Sequence, residues 1–188
     1  FRVFDLENEF NINGDWIVQD IQIGIAEAVS GTGDSQPIHF SLFGMSTYTN
    51  EINPDSLTLK GDTLVFDVYD SDTGNLIKYT LDDEINVPLG QVLVIEVQMP
   101  VTEDADHSLF LGSNDLGETD SSYIEAAQCG VPDPIPLSDI LYPDMHLIMY
   151  VYGQYRNPAA EIISFTIEGQ LNETVILNDP EWRIDLIM

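Results

Sequence analysis

The sequence is very poor in basic residues. Its 188 residues include 5 Lys plus Arg against 33 Asp plus Glu, which gives a formal net charge of -28 at pH 7. No basic residue occurs between Lys78 and Arg156. Proteins that bind nucleic acid need clustered Lys and Arg to neutralise phosphate, so the composition argues against a nucleic-acid partner. The same negative field repels anionic membrane surfaces and acidic polysaccharides.

Cysteine and long apolar runs are also scarce. Cys129 is the single cysteine, so no internal disulfide forms and the fold must rest on its core, for which the 44% hydrophobic content suffices. Cys129 has no base or cation near it in the sequence that would make it reactive, so we expect its side chain to be buried in the packing. Runs such as VLVIEV and HLIMYVY are far shorter than the roughly 20 residues of a membrane helix, so we predict no membrane insertion.

The sequence opens with FRVFDLENEF, which has neither the charged nor the apolar region of a signal peptide. We therefore expect that any signal peptide has been removed or lies upstream, and that the chain is part of a larger protein. Two explanations fit its acidity. The first is that the protein is secreted into salty water, where counterions screen the repulsion between its carboxylates. The second is that some of the carboxylates bind divalent cations.

Apolar residues alternate with polar ones almost everywhere, and helical periodicity is rare. In QDIQIGI, for example, Ile21, Ile23 and Ile25 alternate with Gln22 and Gly24, which indicates a strand with one buried face. The candidate strands begin at Trp16, Pro37, Asp62, Leu76, Gln91, Ser108 and Met145. With turns rich in Gly, Asp, Asn and Pro between them, they predict an all-β, antiparallel β-sandwich of jelly-roll type.

Two connecting segments carry more specific predictions. DSDTGN, residues 70–75, contains a D-x-D-x-G pattern similar to that of a calcium loop, but it lacks the glycine spacing and the twelfth-position Glu of an EF-hand. We interpret it as the turn of a hairpin that joins LVFDVY to LIKYTL. SSYIEAAQCG is the one candidate helix, with Ser121 or Ser122 as its N-cap and Gly130 as its end.

The character of the chain changes after YVYGQYRNP. We predict a β-sandwich module over 1–155, a linker over 156–160, and the first strands of an incomplete immunoglobulin-like domain over 161–188. The alternative makes those last residues the final strands of the same sandwich. About 30 residues cannot bury a core alone, so this C-terminal β segment must pack on the first domain, on a partner or on further chain.

The stretch from LFLGSNDLGETDSSY to MYVYG resembles non-catalytic β-sandwich modules of large secreted bacterial surface proteins. The residues that carry this resemblance are Gly112, Ser113, Asn114, Gly117, Thr119, Ser122, Tyr123, Cys129, Gly130, Pro143, His146, Met149, Val151 and Gly153. The opening FDLENEFNI is similar to the start of such modules, and ISFTIEGQLNETVI is similar to the first strands of a bacterial Ig-like domain. Glu118 stands where the family pattern has Gln, and LYP replaces its GFP.

The resemblance implies an extracellular or cell-surface, bacterial setting in a multidomain adhesin or in an enzyme with accessory domains, often exported by the type IX route. It implies no catalytic residue.

Two acidic loops flank the strand that begins at Ser108, and their oxygens suit Ca²⁺, which takes six to eight such ligands. If both loops lie at one end of the sandwich, they form a tentative calcium site. Its candidate ligands are Glu103, Asp104, Asp106, Asp115, Glu118 and Asp120. The alternative is a pair of solvated loops in a protein that is acidic throughout. Asp5, Glu7 and Glu9 form a further candidate, because alternation along an N-terminal strand would place them on one face.

Aromatic residues decide whether sugar binding is plausible. Tyr48 is the best loop candidate for a ligand-binding role, since it stands near Asn50 and Asn53, whose amides suit neutral sugar hydroxyls. Trp16 is a further candidate, although core packing explains an aromatic residue inside a strand equally well.

The favoured hypothesis is an extracellular binding or adhesion module for a surface glycan or protein ligand, stabilised by calcium and flanked by neighbouring domains. A glycan-active enzyme using carboxylates, a carbohydrate-binding accessory domain of one, and a purely structural spacer are the alternatives. With 33 acidic residues, no single carboxylate pair points to hydrolysis.

Overall fold

The computed structural model describes residues 1–31, 33–46, 48–100, 107–116, 121–140, 142–143, 145–156, 162–165 and 173–176. Strands dominate them, which confirms the predicted all-β fold. The strands are β1 (Arg2–Phe4), β2 (Asp15–Ser30), β3 (Ser35–Met45), β4 (Thr58–Leu59), β5 (Leu64–Tyr69), β6 (Leu76–Val87), β7 (Val92–Gln98), β8 (His107–Leu111), β9 (Ser113–Asn114), β10 (Tyr123–Ala126), β11 (Val131–Pro136), β12 (His146–Leu147), β13 (Met149–Arg156), β14 (Ile162–Phe165) and β15 (Glu173–Ile176).

The first sheet has the strand order β1-β7-β3, and two further strands pair along the outer edge of β3. β5 pairs with Ser35–Phe40, and the short β4 pairs with Phe43 and Gly44. All these pairings are antiparallel. The sheet is therefore four strands wide at the level of β4.

The second sheet has the order β13-β2-β6, and β8 pairs with the C-terminal part of β2. The 16-residue β2 thus serves as the common central strand. Its first half lies between β13 and β6, and its last residues, from Ile25 to Ser30, pair with β8. At the level of β13 this sheet is only three strands wide.

The two sheets share one apolar core, as expected for a β-sandwich. β2 contributes Ile21, Ile23 and Ile25, and β3 contributes Phe40 and Leu42, all of them at most 2% exposed. These residues recur at every second position, so the alternation in the sequence does mark one buried face. The jelly-roll connectivity remains a prediction.

A second apolar cluster covers the opposite face of the first sheet. Along β7, Leu93 and Ile95 join the main core, whereas Val92 and Val94 join this second cluster. The uninterrupted apolar run VLVI therefore exists because both faces of β7 are buried. Tyr123 is the largest side chain in the second cluster and is 2% exposed.

Three backbone segments meet closely where β2 passes from one set of partners to the other. The N–H of Gly24 donates to the carbonyl of Ile148 at 2.9 Å, and Gly112 donates to Gly24 at 2.7 Å. Ile148 donates in turn to Gly112 at 2.9 Å. A Cβ on Gly112 would lie 3.0 Å from the Gly24 backbone, so glycine is needed for this approach. We call this arrangement the Gly24–Gly112–Ile148 junction.

The hairpin predicted at residues 70–75 is wrong. β5 pairs with β3 in the first sheet and β6 pairs with β2 in the second, so this segment crosses between the sheets. Its polar groups bind the end of β2: the Asp70 carboxylate accepts hydrogen bonds from the Ser30 N–H at 2.8 Å and from its hydroxyl at 2.6 Å. The Ala28 N–H donates to the Thr73 hydroxyl at 3.0 Å.

The helix predicted for SSYIEAAQCG is also wrong. Tyr123–Ala126 forms strand β10, because it pairs with β11, and only Ala127–Cys129 makes a 3₁₀ turn. Gly130 ends this turn in the left-handed conformation, with φ of 83°. Cys129 is exposed on the turn rather than buried, since its neighbours in the turn pack against no core cluster.

After β13, the described part of the chain contains β14 and β15, which pair with each other as an antiparallel hairpin. The boundaries 1–155, 156–160 and 161–188 stay a prediction. Within the described ranges, no helix is long and apolar enough to cross a membrane.

Candidate binding groove

A groove of about 410 Å³ opens along one long side of the sandwich, between the N-terminal segment and β13. This volume falls in the range of about 300–1,000 Å³ that is common for ligand sites. The residues that line it are Arg2, Phe4, Leu6, Phe10, Ile12, Trp16, Met149, Tyr150, Val151 and Tyr152. The lining is therefore largely apolar and aromatic.

The N-terminal wall of the groove is shaped by a tight turn. The Asp5 carboxylate accepts hydrogen bonds from the backbone N–H of Asn8 at 3.1 Å and from its side chain at 2.8 Å. The Ile12 N–H then donates to the Leu6 carbonyl at 2.9 Å. The turn keeps Leu6 inside, at 7% exposure, and places Phe10 at the rim, at 43% exposure.

The opposite wall is the edge strand β13. Met149 and Val151 pack against the main core, whereas Tyr150 and Tyr152 lie on the other face and are 48% and 42% exposed. The Tyr152 hydroxyl donates to Gln22 Oε1 at 2.7 Å, and Lys78 Nζ lies 4.6 Å from the centre of its ring. These contacts hold the Tyr152 ring in place before any ligand arrives.

The charges beneath the tyrosines compensate one another. Lys78 Nζ lies 2.8 Å from the Asp20 carboxylate, and the Thr80 hydroxyl donates to the same carboxylate at 2.7 Å. The hydrogen bonds from Lys78 and from Thr80 lower the pKa of Asp20 below its ordinary value of 3.8. Lys78 is consequently engaged within the protein and leaves little positive charge for an anionic ligand.

Trp16, which the sequence singled out as a ligand candidate, lines the groove at its base. It is half-buried against the main core, and its indole Nε1 is buried without a hydrogen-bond partner among the described residues. Gly153 makes room for this ring, because a Cβ there would meet the Ile17 carbonyl and lie 2.9 Å from Trp16 Cε2. The Tyr155 hydroxyl donates to the Asn13 carbonyl at 3.1 Å nearby.

The other three ligand candidates lie elsewhere. The Tyr123 hydroxyl donates to the Asn50 carbonyl at 2.9 Å, so Tyr48 must be the donor in its 3.0 Å contact with that hydroxyl. Asn50 itself is exposed with φ of 61°, a left-handed conformation that Asn tolerates. Asn53 caps the 3₁₀ helix Pro54–Ser56 by accepting from the Asp55 N–H at 3.0 Å. Tyr48 and Asn53 thus have local structural contacts that explain their placement.

Tyr48 also lines a smaller cleft of about 260 Å³. Asp5 and Glu7 lie at this cleft, but Glu9 does not line it. β1 ends at Phe4 and residues 6–10 form a turn, so the strand alternation predicted for Asp5, Glu7 and Glu9 is wrong. Among the described residues, no three His, Cys, Asp or Glu side chains are grouped so that they could hold a metal ion.

The main calcium prediction lies almost entirely outside the described residues. Glu103, Asp104 and Asp106 fall within 101–106, and Glu118 and Asp120 fall within 117–120, neither of which is described. Asp115 is exposed and follows β9, beside the Asn114 side chain that accepts from the Leu116 N–H at 3.0 Å. The calcium site therefore stays a prediction.

Two groove residues escaped the sequence analysis. Phe10 stands in the polar turn ENEFNI, where nothing in the local pattern shows that the ring returns to the edge of the sandwich. Tyr150 belongs to the apolar run HLIMYVY, which reads as core. Alternation around the buried Met149 was the one signal that could have placed Tyr150 and Tyr152 together on the outer face.

Comparisons of this chain with protein-family models, with curated proteins and with solved structures gave no match.

Proposed function

We propose that this chain is a non-catalytic binding module, of the adhesion type, in a secreted multidomain bacterial surface protein. The observation that carries the proposal is the aromatic groove between the N-terminal segment and β13. Exposed aromatic side chains gathered at one concave apolar site are typical of recognition surfaces.

A rim side chain that is held in place by contacts within the protein supports a binding role for the groove. Tyr152 is fixed by its hydrogen bond to Gln22 and by the Lys78 side chain over its ring. A ring that is already held in place loses little conformational entropy when a ligand packs on it. The preformed rim thus favours affinity.

The charge distribution narrows the ligand class. Lys78 pairs with Asp20, Arg156 lies 3.9 Å from Glu84, and Arg2 is only 6% exposed. Little positive charge near the groove is available to an anion, while the chain as a whole carries -28. The ligand is accordingly neutral or cationic.

The alternatives make different demands on the same site. A carboxylate-dependent glycan hydrolase needs two facing carboxylates, and the described lining of the groove supplies none. A structural spacer would leave the groove without a ligand.

The groove assignment is tested with a Tyr150→Ala/Tyr152→Ala double variant. The probes are immobilised neutral polysaccharides and immobilised synthetic peptides of extended sequence. We expect at least one probe to retain the parent chain, and the double variant to bind it about tenfold more weakly, as loss of a rim aromatic typically causes. Tyr142→Ala is the matched control, since Tyr142 is 52% exposed and does not line the groove. Equal retention of all three proteins would contradict the assignment.

The proposal includes stabilisation by calcium, supported by the acidic residues that flank β8 in the sequence and by the net charge of -28. At a hundredfold excess over Kd, Ca²⁺ should stabilise the fold by about 2.7 kcal/mol, or roughly 5–10 °C in Tm. Thermal unfolding in EDTA and in Ca²⁺, each at low and high NaCl, measures this. An Asp115→Asn/Asp120→Asn variant should lose the response. If NaCl raises the Tm as much as Ca²⁺ does, the acidity reflects general adaptation to salt and not calcium binding.

A further inference from the structure

The groove lies beside the free edge of the smaller sheet. In the described part of the chain β13 pairs on one side only, with β2, so alternate backbone N–H and C=O groups along its eight residues point outward. The first sheet, by contrast, is four strands wide. An edge of this length is a template for one more strand.

The groove continues the interior of the sandwich past this edge. Met149 and Val151 on β13 and Phe4 and Leu6 opposite them are apolar, and three of the four are 7% exposed. A strand laid along β13 would point every second side chain toward these residues. Its remaining side chains would lie beside Tyr150 and Tyr152.

We propose that the groove accepts an extended peptide segment of a partner protein, which adds to β13 as a fourth strand and buries alternate apolar side chains in the groove. The inference rests on the proposed function, because it assigns a ligand class to the same site. Such strand addition draws affinity from the main chain and specificity from alternate side-chain pockets.

The chemistry of the lining favours a peptide over a glycan. Sugar hydroxyls that leave water need hydrogen-bond partners, and the described lining offers mainly hydrocarbon. An added strand presents backbone N–H and C=O groups in the spacing that matches the outward groups of β13, whereas a glycan does not.

Charge complementarity defines the partner further. The chain carries a formal net charge of -28, and two cations near β13, Lys78 and Arg156, are already paired with Asp20 and Glu84. Outward positions of the incoming strand should therefore be occupied by Lys or Arg, with apolar residues between them.

The test uses an eight-residue peptide, capped at both ends, in which Val and Lys alternate. Binding is followed at physiological salt by the fluorescence of Trp16 in a Trp182→Phe background, which removes the other tryptophan of the chain. Amide hydrogen exchange is measured in parallel. We expect saturable binding, and protection from exchange for the amides of β13.

Two controls separate the groove from general attraction. A peptide with the same composition, but four Val followed by four Lys, should bind at least tenfold more weakly. Phe10→Ala should weaken binding of the alternating peptide about tenfold. Phe110→Ala should not, since Phe110 is 58% exposed on β8 and does not line the groove. Tyr150→Ala provides a second groove variant at an exposed position, should Phe10→Ala not fold.

Four results would overturn the inference. Equal binding of both peptides would show attraction by charge alone. Protection of β13 that depends on protein concentration without peptide would show that a second copy occupies the edge.

The other two results also bear on the proposed function. Neutral polysaccharide that binds through Tyr150 and Tyr152, without peptide binding, would make the groove a glycan site and leave the proposed function intact. Absence of binding by both kinds of probe would overturn the proposed function as well.

Discussion

The two long sides of the sandwich differ in how their aromatic residues are used. On the side of β5 and β6, the rings of Phe40, Phe66 and Tyr79 pack together, with centres 5.7, 5.4 and 4.6 Å apart. On the side of β1 and β13, Phe10, Tyr150 and Tyr152 surround an open groove. Aromatic rings fill and close the first side, whereas on the second side the aromatic rings stand around the opening of the groove.

This difference separates aromatic rings that stabilise the core from aromatic rings that stay accessible to solvent. Aromatic pairs inside a core add to the apolar area that they bury, whereas exposed rings keep their faces free for another molecule. The segment 70–75 ties the ends of the two sheets near the closed side, through Asp70 and Thr73. On the open side, residues 5–14 lead from β1 to β2 and form one wall of the groove, but they leave the space between Phe10 and β13 open.

The largest expected difference is between Phe40→Ala and Phe10→Ala. Phe40 is 0% exposed, so its truncation should leave a cavity and lower the free energy of unfolding by about 3–5 kcal/mol. Phe10 is 43% exposed, and its loss should cost less than about 1 kcal/mol. Urea denaturation of both variants measures this, and similar losses would mean that the two sides are equally structural.

A smaller effect is expected at the Gly24–Gly112–Ile148 junction, which connects the start of β13 to the rest of the sheet. Gly112→Ala places a methyl group 3.0 Å from the Gly24 backbone and should destabilise the fold by about 1–3 kcal/mol. Gly33→Ala is the control, because its Cβ would meet nothing closer than 3.4 Å and Gly33 does not have a positive φ. Equal stability of the two variants would show that the start of β13 can shift to make room for the added methyl group.

Tyr79→Phe should stabilise the closed side. The Tyr79 hydroxyl is buried, has no hydrogen-bond partner in the described part of the chain, and burial raises its pKa. Removing an unsatisfied hydroxyl should raise the free energy of unfolding by about 1 kcal/mol. A loss of stability, seen by the same denaturation, would point to a partner for this hydroxyl.

The smallest expected effects are on the pH dependence of stability, and they have opposite signs for Glu96 on the first sheet and Asp20 on the second. On β7, burial raises the pKa of Glu96 above its ordinary 4.5, an effect that Glu125 increases and that the Ser41 hydrogen bond opposes. Its charged form disfavours folding, so this penalty disappears as pH falls through the raised pKa. Glu96→Gln should therefore be stabilising at neutral pH, with the gain vanishing below about 4.5.

Asp20 behaves in the opposite way. Its lowered pKa contributes stability above the ordinary value of 3.8, and this contribution is lost as pH falls further. Asp20→Asn should reduce the loss of stability in acid. Thermal unfolding of both variants between pH 7 and pH 3 tests the pair, and parallel pH profiles would contradict the assignment.

Much of the fold could be predicted from the sequence, because alternation is local. The candidate strands that begin near Trp16, Pro37 and Gln91 correspond to β2, β3 and β7. Strand pairing is not local, so the sequence of residues 70–75 does not show that β5 and β6 belong to different sheets. The helix prediction at 121–130 failed for the same reason, since pairing of Tyr123 and Ile124 with β11 overrides their local pattern.

The site was harder to predict than the fold. Trp16 was found because a large aromatic residue near a strand end is conspicuous, yet Phe10 and Tyr150 reach the groove only through the turn at Asp5 and the edge position of β13. Tyr48 looked like a loop residue, but its neighbour in space is Tyr123, far along the chain.

The central position of β2 has a consequence for the order in which the protein can assemble. In β2, Ile23 pairs with Ile77 on one side and with Met149 on the other, so the second edge of β2 stays unpaired until β13, more than 120 residues later, has been made. Pairings between such distant residues close slowly, on millisecond to second scales for β-sandwiches. Until β13 has been made, β2 must therefore be kept from pairing with other chains.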